Sequence, residues 1–499
     1  MKNPSHYLEE LLKESKIIQS VSRLAQIHGQ DVYLVGGALR DILLKQQLGK
    51  DFDFVCLGEV GHLASHLAHG EHGKAFPIAE SEGTWRVVLS QEQRKTEVDF
   101  SQIQGKDIIH DLKQRDFTIN SLAVNLKDVI ISAHPTVIDP LHGLVDLQRR
   151  ILRANSEESL RQDPLRMLRA FRLSSVLGLQ LDPDTLQMIQ RNKKEISRSA
   201  GERIRDELFA LLNEEETSVF FRKLKQTGLL REIFPEIKNW ENLEQGSHHD
   251  FPLLEHSIRT VEAVEICLRH IQEIFPPYGS YLEQHFCHVI EEGVSRRALL
   301  KFVAFFHDSG KPTTYSEEPE GKTLHFFKHA QEGKSMNEII SQRLKPSRKS
   351  IRLIAELTRY HMRLLGLVRV ERLTIRAKYN FFRDLGQEGL DSIFLAFADG
   401  LASKKIDLAW PLSPEMEGPQ KILKIARELL GYYFEDFIHQ PLRPLLNGYE
   451  IMEALELPPG KEVGRLLTQL REAEIFGKIR TRQEALDFLK NIDRTKPFL

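Results

Sequence analysis

Val32-Tyr-Leu-Val35 is a short apolar, β-branched run that stops at Gly36-Gly37, which predicts a buried strand entering a turn. Leu39, Ile42 and Leu43 then recur at helical spacing, so a helix is expected over 38–44. Upstream, Leu8, Leu11, Leu12, Ile17, Ile18 and Leu24 alternate with charges, the pattern of an amphipathic lead-in over 1–30. After a polar loop comes Asp51-Phe-Asp-Phe-Val55. Alternate side chains of a strand share a face, so Asp51 and Asp53 project together. Positions 58–73 hold a further helix. Trp85 to Leu89 and Thr96 to Phe100 alternate as strands, with 91–95 as their hairpin loop. Asp99 on the second strand is placed to meet the Asp51/Asp53 pair across a sheet.

Composition narrows the class. The 499 residues are 41% hydrophobic and 28% charged, as expected of a soluble chain of several domains. A net charge of −2 gives no global pull toward nucleic acid, so RNA affinity must be local. One stretch supplies it modestly: 149–231 carries 17 Lys and Arg against 12 Asp and Glu. Cys56, Cys267 and Cys287 are far apart without CxxC spacing, which suits a reducing compartment and argues against zinc. The first residues lack a signal-peptide core, and no apolar run approaches a membrane span, so a cytoplasmic protein is expected. His62, His66 and His69 lie along one predicted helix, but no carboxylate or cysteine joins them, and they are read as a solvated face.

The glycine pair lets backbone amides approach an anion closely, at a helix N-terminus that favours negative charge. Arg40 in the first turn adds a cation over a phosphate. Two carboxylates on one rigid strand beside such a cradle suit Mg²⁺, which takes hard oxygen ligands together with substrate phosphates. Ions so held can activate a hydroxyl and stabilise a leaving pyrophosphate.

Asp163-Pro-Leu-Arg-Met-Leu-Arg-Ala-Phe-Arg172 places an acid and a proline in an expected first helical turn. Asp163 and Arg166 then share a face, Arg169 neighbours Arg166, and Arg172 lies roughly opposite Asp163, each step of three drifting about 60°. An Asp accepts from an exocyclic amine and an Arg donates to a ring nitrogen. Cytosine and adenine both present that pair on their pairing edge, whereas uracil and guanine present the reverse order. An Asp/Arg pair on one face therefore selects C and A.

The run Gly-Gly-Ala-Leu-Arg-Asp followed by Asp-Phe-Asp resembles the active-site signature of the class II nucleotidyltransferases, the CCA-adding tRNA enzymes and poly(A) polymerases. The resemblance implies a polymerase β-like α/β head with Asp51 and Asp53 as catalytic Mg²⁺ ligands and a mobile loop between the two strands. All-α neck, HD and tail domains follow, so the chain is mostly α overall. The implied boundaries are 31–154 for the head, 155–245 for the neck, 246–410 for the HD domain and 411–499 for the tail. Asp111 to Asn120 resembles the family's R-R-D-F-T-I-N motif with Gln114 in place of the first arginine. By that resemblance Arg115 contacts nucleotide phosphate, while Asp116 and Asn120 brace the fold or the sugar. From the residues alone, a helix capped at its start is expected after Asp116. Asp163 and Arg166 match the family's base-reading E-D-x-x-R motif, with Gln162 where glutamate is common. Gly36, Gly37, Arg40, Arg115, Asp163, Arg166, Arg169 and Arg172 form the implied nucleotide-binding set. Gly201 to Glu207 resembles a neck motif that braces helices, and 138–147 resembles a scaffold turn.

A second constellation follows: His256, His307-Asp308, His329, His361 and Asp399. Imidazoles with carboxylates suit a divalent transition metal. The order resembles the HD phosphohydrolases. That resemblance implies one ion on His256, His307, Asp308 and Asp399, a second available to His329 and His361, Lys311 facing substrate phosphate, and hydrolysis of a phosphoester. His325 could substitute for His329, which the F-x-x-H spacing favours. The expected partners are CTP, ATP and the 3′ end of tRNA or another RNA. A poly(A) polymerase or A-only enzyme shares these motifs, and a phosphohydrolase with an RNA-binding N-terminal half is the alternative of another class.

Overall fold

The computed structural model describes residues 8, 11–44, 51–79, 83–91, 94–131, 135–246, 249–317, 324–370, 372–413, 416–439 and 444–491. The chain divides into two compact units, Met1–Glu236 and Ile237–Leu499.

The first unit opens with α1 (Lys16–Ile27), capped by the Ser15 hydroxyl, which accepts from the Ile18 amide and so satisfies an otherwise orphan donor. β1 (Val32–Val35) leads directly into α2 (Gly36–Leu43), and β2 (Asp51–Cys56) returns. The helix therefore begins on Gly36 itself, and the glycine pair forms its first turn rather than a link before it. α3 (Gly61–Gly70) keeps its three histidines exposed and its leucines and alanines buried, as the solvated-face reading expects. β3 (Lys74–Ala79), β4 (Thr84–Gln91) and β5 (Arg94–Gln102) follow. The β4–β5 strands run longer than their alternation suggested, and the connection left between them, 92–93, lies outside the described residues. α4 (Ile108–Gln114), β6 (Ala123–Asn125) and β7 (Val137–Ile138) complete a seven-stranded sheet of order β3-β4-β5-β2-β1-β6-β7. Only β2 and β5 pair in parallel within it. Phe52 and Phe54 are buried on the opposite face from Asp51 and Asp53, and Phe54 stacks on Phe100, so packing fixes the acidic face outward.

Helices then take over: α5 (Gly143–Arg149), α6 (Glu157–Gln162), α7 (Leu165–Val176) and α8 (Gly201–Leu212). The expected helix after Asp116 does not form. α4 ends before it, capped at its start by Asp107, and a single 3₁₀ turn covers Thr118–Asn120. Asp116 instead accepts from the Phe117 amide and from Asn120 Nδ2.

Among its described residues the second unit is helical apart from two short two-stranded pairings, Val289–Glu291 with Val294–Ser295 and Tyr315–Glu317 with Leu324–Phe326. Its main elements are α9 (Leu253–Arg269), α10 (Arg296–Phe306), α11 (His329–Leu344), α12 (Arg348–Tyr360) and α13 (Gly389–Ala402). Every residue of α13 except Gly400 is buried, Asp391 and Asp399 included, so the helix is enclosed by its neighbours. Further on, Ile451, Leu466, Leu470 and Leu489 gather a separate small core.

Candidate active sites

In the first unit, a concavity of about 360 Å³ opens where β1 meets α2. Gly36 sits at φ +72°, and a Cβ there would lie 2.8 Å from Asp53 Oδ2, so backbone and carboxylate approach as only glycine allows. Asp53 pairs with Asp99 in the parallel register of β2 and β5, as Asp51 pairs with Glu97, giving one acidic row along the sheet. Arg86, opposite Asp99 on β4, donates to both Asp99 oxygens at 2.8 Å and also reaches Glu97 at 2.7 Å. Burial, then Asp99 and Asp51, raise the Asp53 carboxyl above its ordinary value, while Arg115 pulls it down. Asp51, Asp53 and Asp99 are not among the described groups whose ligand atoms converge within 4.8 Å. Oxygen donors on one strand face beside the glycine turn form a set that fits Mg²⁺.

Arginines line the other walls. Arg40, buried, donates to Asp41 and, at 2.9 Å, to Asn120. Arg115 is held by Asp111 at 3.0 Å. Asn120 donates to Asp116, whose other oxygen lies 3.4 Å from Arg169. Arg169 and Arg172 both donate to the buried Glu207 of α8, at 2.8 and 2.5 Å. One polar chain thus runs from the glycine turn to α7 and α8. Arg169 and Arg172 line the concavity; Asp163 and Arg166 do not. Asp163 falls between α6 and α7 rather than in a first turn, and it accepts from Arg203 at 2.8 Å. Burial works against its charge, yet Arg203 and the neighbouring arginines hold it below the usual carboxylate range. Arg166 donates to the Gln114 and Ser159 carbonyls at 2.9 and 3.1 Å.

The second unit gathers the HD residues. His307, His329 and His361 each direct Nδ1 at a main-chain carbonyl, of Ala304, Phe326 and Thr358, at 2.7–2.8 Å. A carbonyl only accepts, so Nδ1 carries the proton and Nε2 keeps its lone pair for the centre. Asp308 Oδ2 lies 3.1 Å from His307 and 2.6 Å from Lys311, whereas its Oδ1 faces His329 and His361 at 3.4 and 3.5 Å. Asp399 reaches His256 at 3.1 Å. Among the described residues, His256 Nε2 and Asp399 Oδ1, 3.1 Å apart, and His307 Nε2, 3.1 Å from Asp308 Oδ2, are buried in ionic contact without a well-oriented hydrogen bond. Burial pulls His307 down, but Asp308 and Asp399 outweigh it and push the imidazole up to about 10, so an ion at this centre would take the place of a proton on Nε2. Converging acceptors with too few donors are a cation site by chemistry, and the set fits a divalent metal. His325 stacks on Phe327 and stands outside these ligand groups.

Residues 32–153 match the poly A polymerase head domain, 178–241 the probable RNA and SrmB-binding site of polymerase A, and 253–401 the HD domain. Over 465 residues the chain is 30% identical to the A-adding tRNA nucleotidyltransferase of Deinococcus radiodurans, spanning 92% of this chain and 94% of that one. The chain belongs to the tRNA nucleotidyltransferase family. Within that family, the CC-adding tRNA nucleotidyltransferase of Thermus thermophilus is also 30% identical, across 92% and 93% of the two chains. A solved CCA-adding enzyme in complex with CTP, 21% identical, shares the fold with a TM-score of 0.64 over 97% of each chain. Among the described residues, no helix is long and apolar enough to cross a membrane.

Arg86, His249 and Gln245 escaped the sequence reading, and Glu207 entered it only within a helix-bracing motif. Arg86 is separated from Asp99 by a hairpin, and only strand register shows that they face each other. Glu207 lies 35 residues from Arg172. His249 and Gln245 sit in irregular chain ahead of α9, where no periodicity points at anything. The His248-His249 doublet was the one available signal.

Proposed function

We propose that this nucleotidyltransferase adds C and A to tRNA 3′ ends from CTP and ATP. The observation that carries the reading is the acidic row of Asp51, Asp53 and Asp99 beside the Gly36 turn, with Asp51 and Asp53 lining one concavity together with Arg40, Arg115, Arg169 and Arg172. Asp51 and Asp53, with Asp99 as a third, would hold Mg²⁺, which when bound supplies charge neutralisation at the attacking and leaving oxygens. Gly36 and Gly37 bring main-chain amides close to a triphosphate, and Arg40 and Arg115 donate to its oxygens. Asp163 and Arg166 supply the acceptor and donor that C and A share, while Arg169 and Arg172, fixed by Glu207, border the nucleotide. The segments 31–154, 155–245, 246–410 and 411–499 act as head, neck, HD domain and tail, in a cytoplasmic protein with free thiols.

A second reading, addition of CC only or A only, is favoured by two observations. The 30%-identical relatives carry those names. The base-reading pair is also engaged elsewhere, Asp163 with Arg203 and Arg166 with carbonyls. Extension of tRNA ending at the discriminator base or at CC, with CTP, ATP or both, separates the readings. Growth by CC and one A supports the first. Growth by CC alone, or by A on tRNA-CC alone, replaces it with the second, and long A tails on any RNA overturn both.

For the HD centre we infer phosphoester hydrolysis at RNA ends, with His256, His307, Asp308 and Asp399 holding one divalent ion, His329 and His361 available to another, and Lys311 on the phosphate. Release of phosphate from 2′-phosphate or opening of 2′,3′-cyclic phosphate, lost in His307→Ala, tests it. Full hydrolysis by that variant would reject it.

A further inference from the structure

His249 lies against the HD centre from a side that the motif order leaves open. Its ring meets His256 edge-on, with centroids 4.5 Å apart at 75°, and a nitrogen of His249 falls within 4.8 Å of ligand atoms of both His256 and Asp399. His249 Nδ1 is buried without a hydrogen-bond partner among the described residues, a costly state for a polar atom with nothing to bind.

The loop that carries it is built to hold that ring in place. The His249 amide donates to the Gly246 carbonyl at 3.1 Å, and the next residue, Asp250, is fastened to the chain just past α13. There its amide donates to Ser403, and its carboxylate accepts from Lys404 Nζ and the Lys405 amide. Gln245 donates to the Phe251 carbonyl at 3.0 Å and accepts from Lys311 at 2.7 Å. These bonds fix His249 to the end of the helix that presents Asp399.

The ligand groups fall on two sides of Asp308. Its Oδ1 faces His329 and His361, whereas Oδ2 faces His307 and, at 3.7 Å, His256. The Oδ1 side holds two imidazoles, and the other is continued by Asp399 and His249. We propose that His249 is a further metal ligand, joining His256 and Asp399 at the ion position on the Oδ2 side of Asp308, which is distinct from the position that Asp308 Oδ1 shares with His329 and His361. This rests on the reading of the HD centre as a divalent-metal site. Neutral imidazoles and a carboxylate suit Mn²⁺, Co²⁺ or a similar ion.

The test is Co²⁺ titration of metal-free full-length protein carrying Asp51→Asn and Asp53→Asn, which removes the carboxylate site in the first unit. Visible absorption and bound-metal stoichiometry are read for the parent, His249→Ala, His249→Gln and His361→Ala, with thermal melting of the metal-free proteins as the folding control. Two ions per parent chain are expected. Both His249 variants should weaken one ion at least tenfold and alter its absorption while leaving the other intact, and His361→Ala should weaken the complementary ion. A His249→Gln variant that melts like the parent and binds both ions with parental affinity overturns the proposal while leaving the metal reading standing. A parent that binds no Co²⁺ overturns both.

Discussion

Asp53 and Asp99 are direct partners in the parallel pairing of β2 with β5, yet Arg86 grips both oxygens of Asp99. The guanidinium approaches Asp99 from β4, the side away from Asp53, and so competes with any cation for the Asp99 oxygens. Replacing Arg86 with Gln should lower the Mg²⁺ concentration that half-saturates nucleotide incorporation, because one competitor for Asp99 is gone. A Mg²⁺ titration checks this, and an increased requirement would show that Arg86 assists the ion instead. Asp99→Asn should reduce incorporation roughly 100-fold at saturating Mg²⁺, the scale of losing one charged group at a reacting centre.

Gly36→Ala attacks the same place through the backbone. The left-handed φ costs a side chain about 1–2 kcal/mol, and the added methyl would press on Asp53 Oδ2. The expected outcome is a modestly lowered melting temperature with incorporation nearly abolished. Wild-type incorporation in this variant would mean that the Gly36–Asp53 approach has no part in the reaction.

Glu207 is buried between two arginines of α7, each about a quarter to a third exposed. Its removal takes away the carboxylate that Arg169 and Arg172 share and leaves Arg169 its longer contact to Asp116, and Glu207→Ala should cost about 2 kcal/mol of stability, discounted for that exposure. Denaturant unfolding measures it. Because both arginines line the concavity, the apparent affinity for nucleotide should fall as well.

Metal removal separates the two chemistries. Extensive chelation followed by Mg²⁺ alone should restore incorporation but not phosphoester hydrolysis, because carboxylates suit Mg²⁺ and the imidazole-rich HD set does not. Mn²⁺ or Co²⁺ should restore hydrolysis. Recovery of both activities with Mg²⁺ alone would contradict this division.

Local pattern made much of this legible. Val32 to Val35 stops at two glycines, and Asp51 and Asp53 alternate with buried phenylalanines, so strand, turn and acidic face were all written into neighbouring residues. β3 went unseen because it is an edge strand whose Phe76 and Ile78 are exposed, leaving no buried alternation to detect. The helix expected after Asp116 failed because that carboxylate is drawn to Asn120 and Arg169. Asp163 lost its expected place when α7 started two residues later, a boundary that tertiary contacts decide. His249, far from any periodic element, acquires meaning only from where Ser403 and Lys404 pin its neighbour.

The arginines around the Gly36 turn are each already bonded inside the protein, Arg40 to Asp41 and Asn120, Arg115 to Asp111, and Arg169 and Arg172 to Glu207. An incoming triphosphate therefore exchanges hydrogen bonds rather than simply gaining them, and only the difference counts toward its retention. Such a pocket carries its own internal competitor. It favours short residence of a nucleotide and rapid replacement by the next, as suits a catalyst that must accept and discharge a fresh substrate at every added residue.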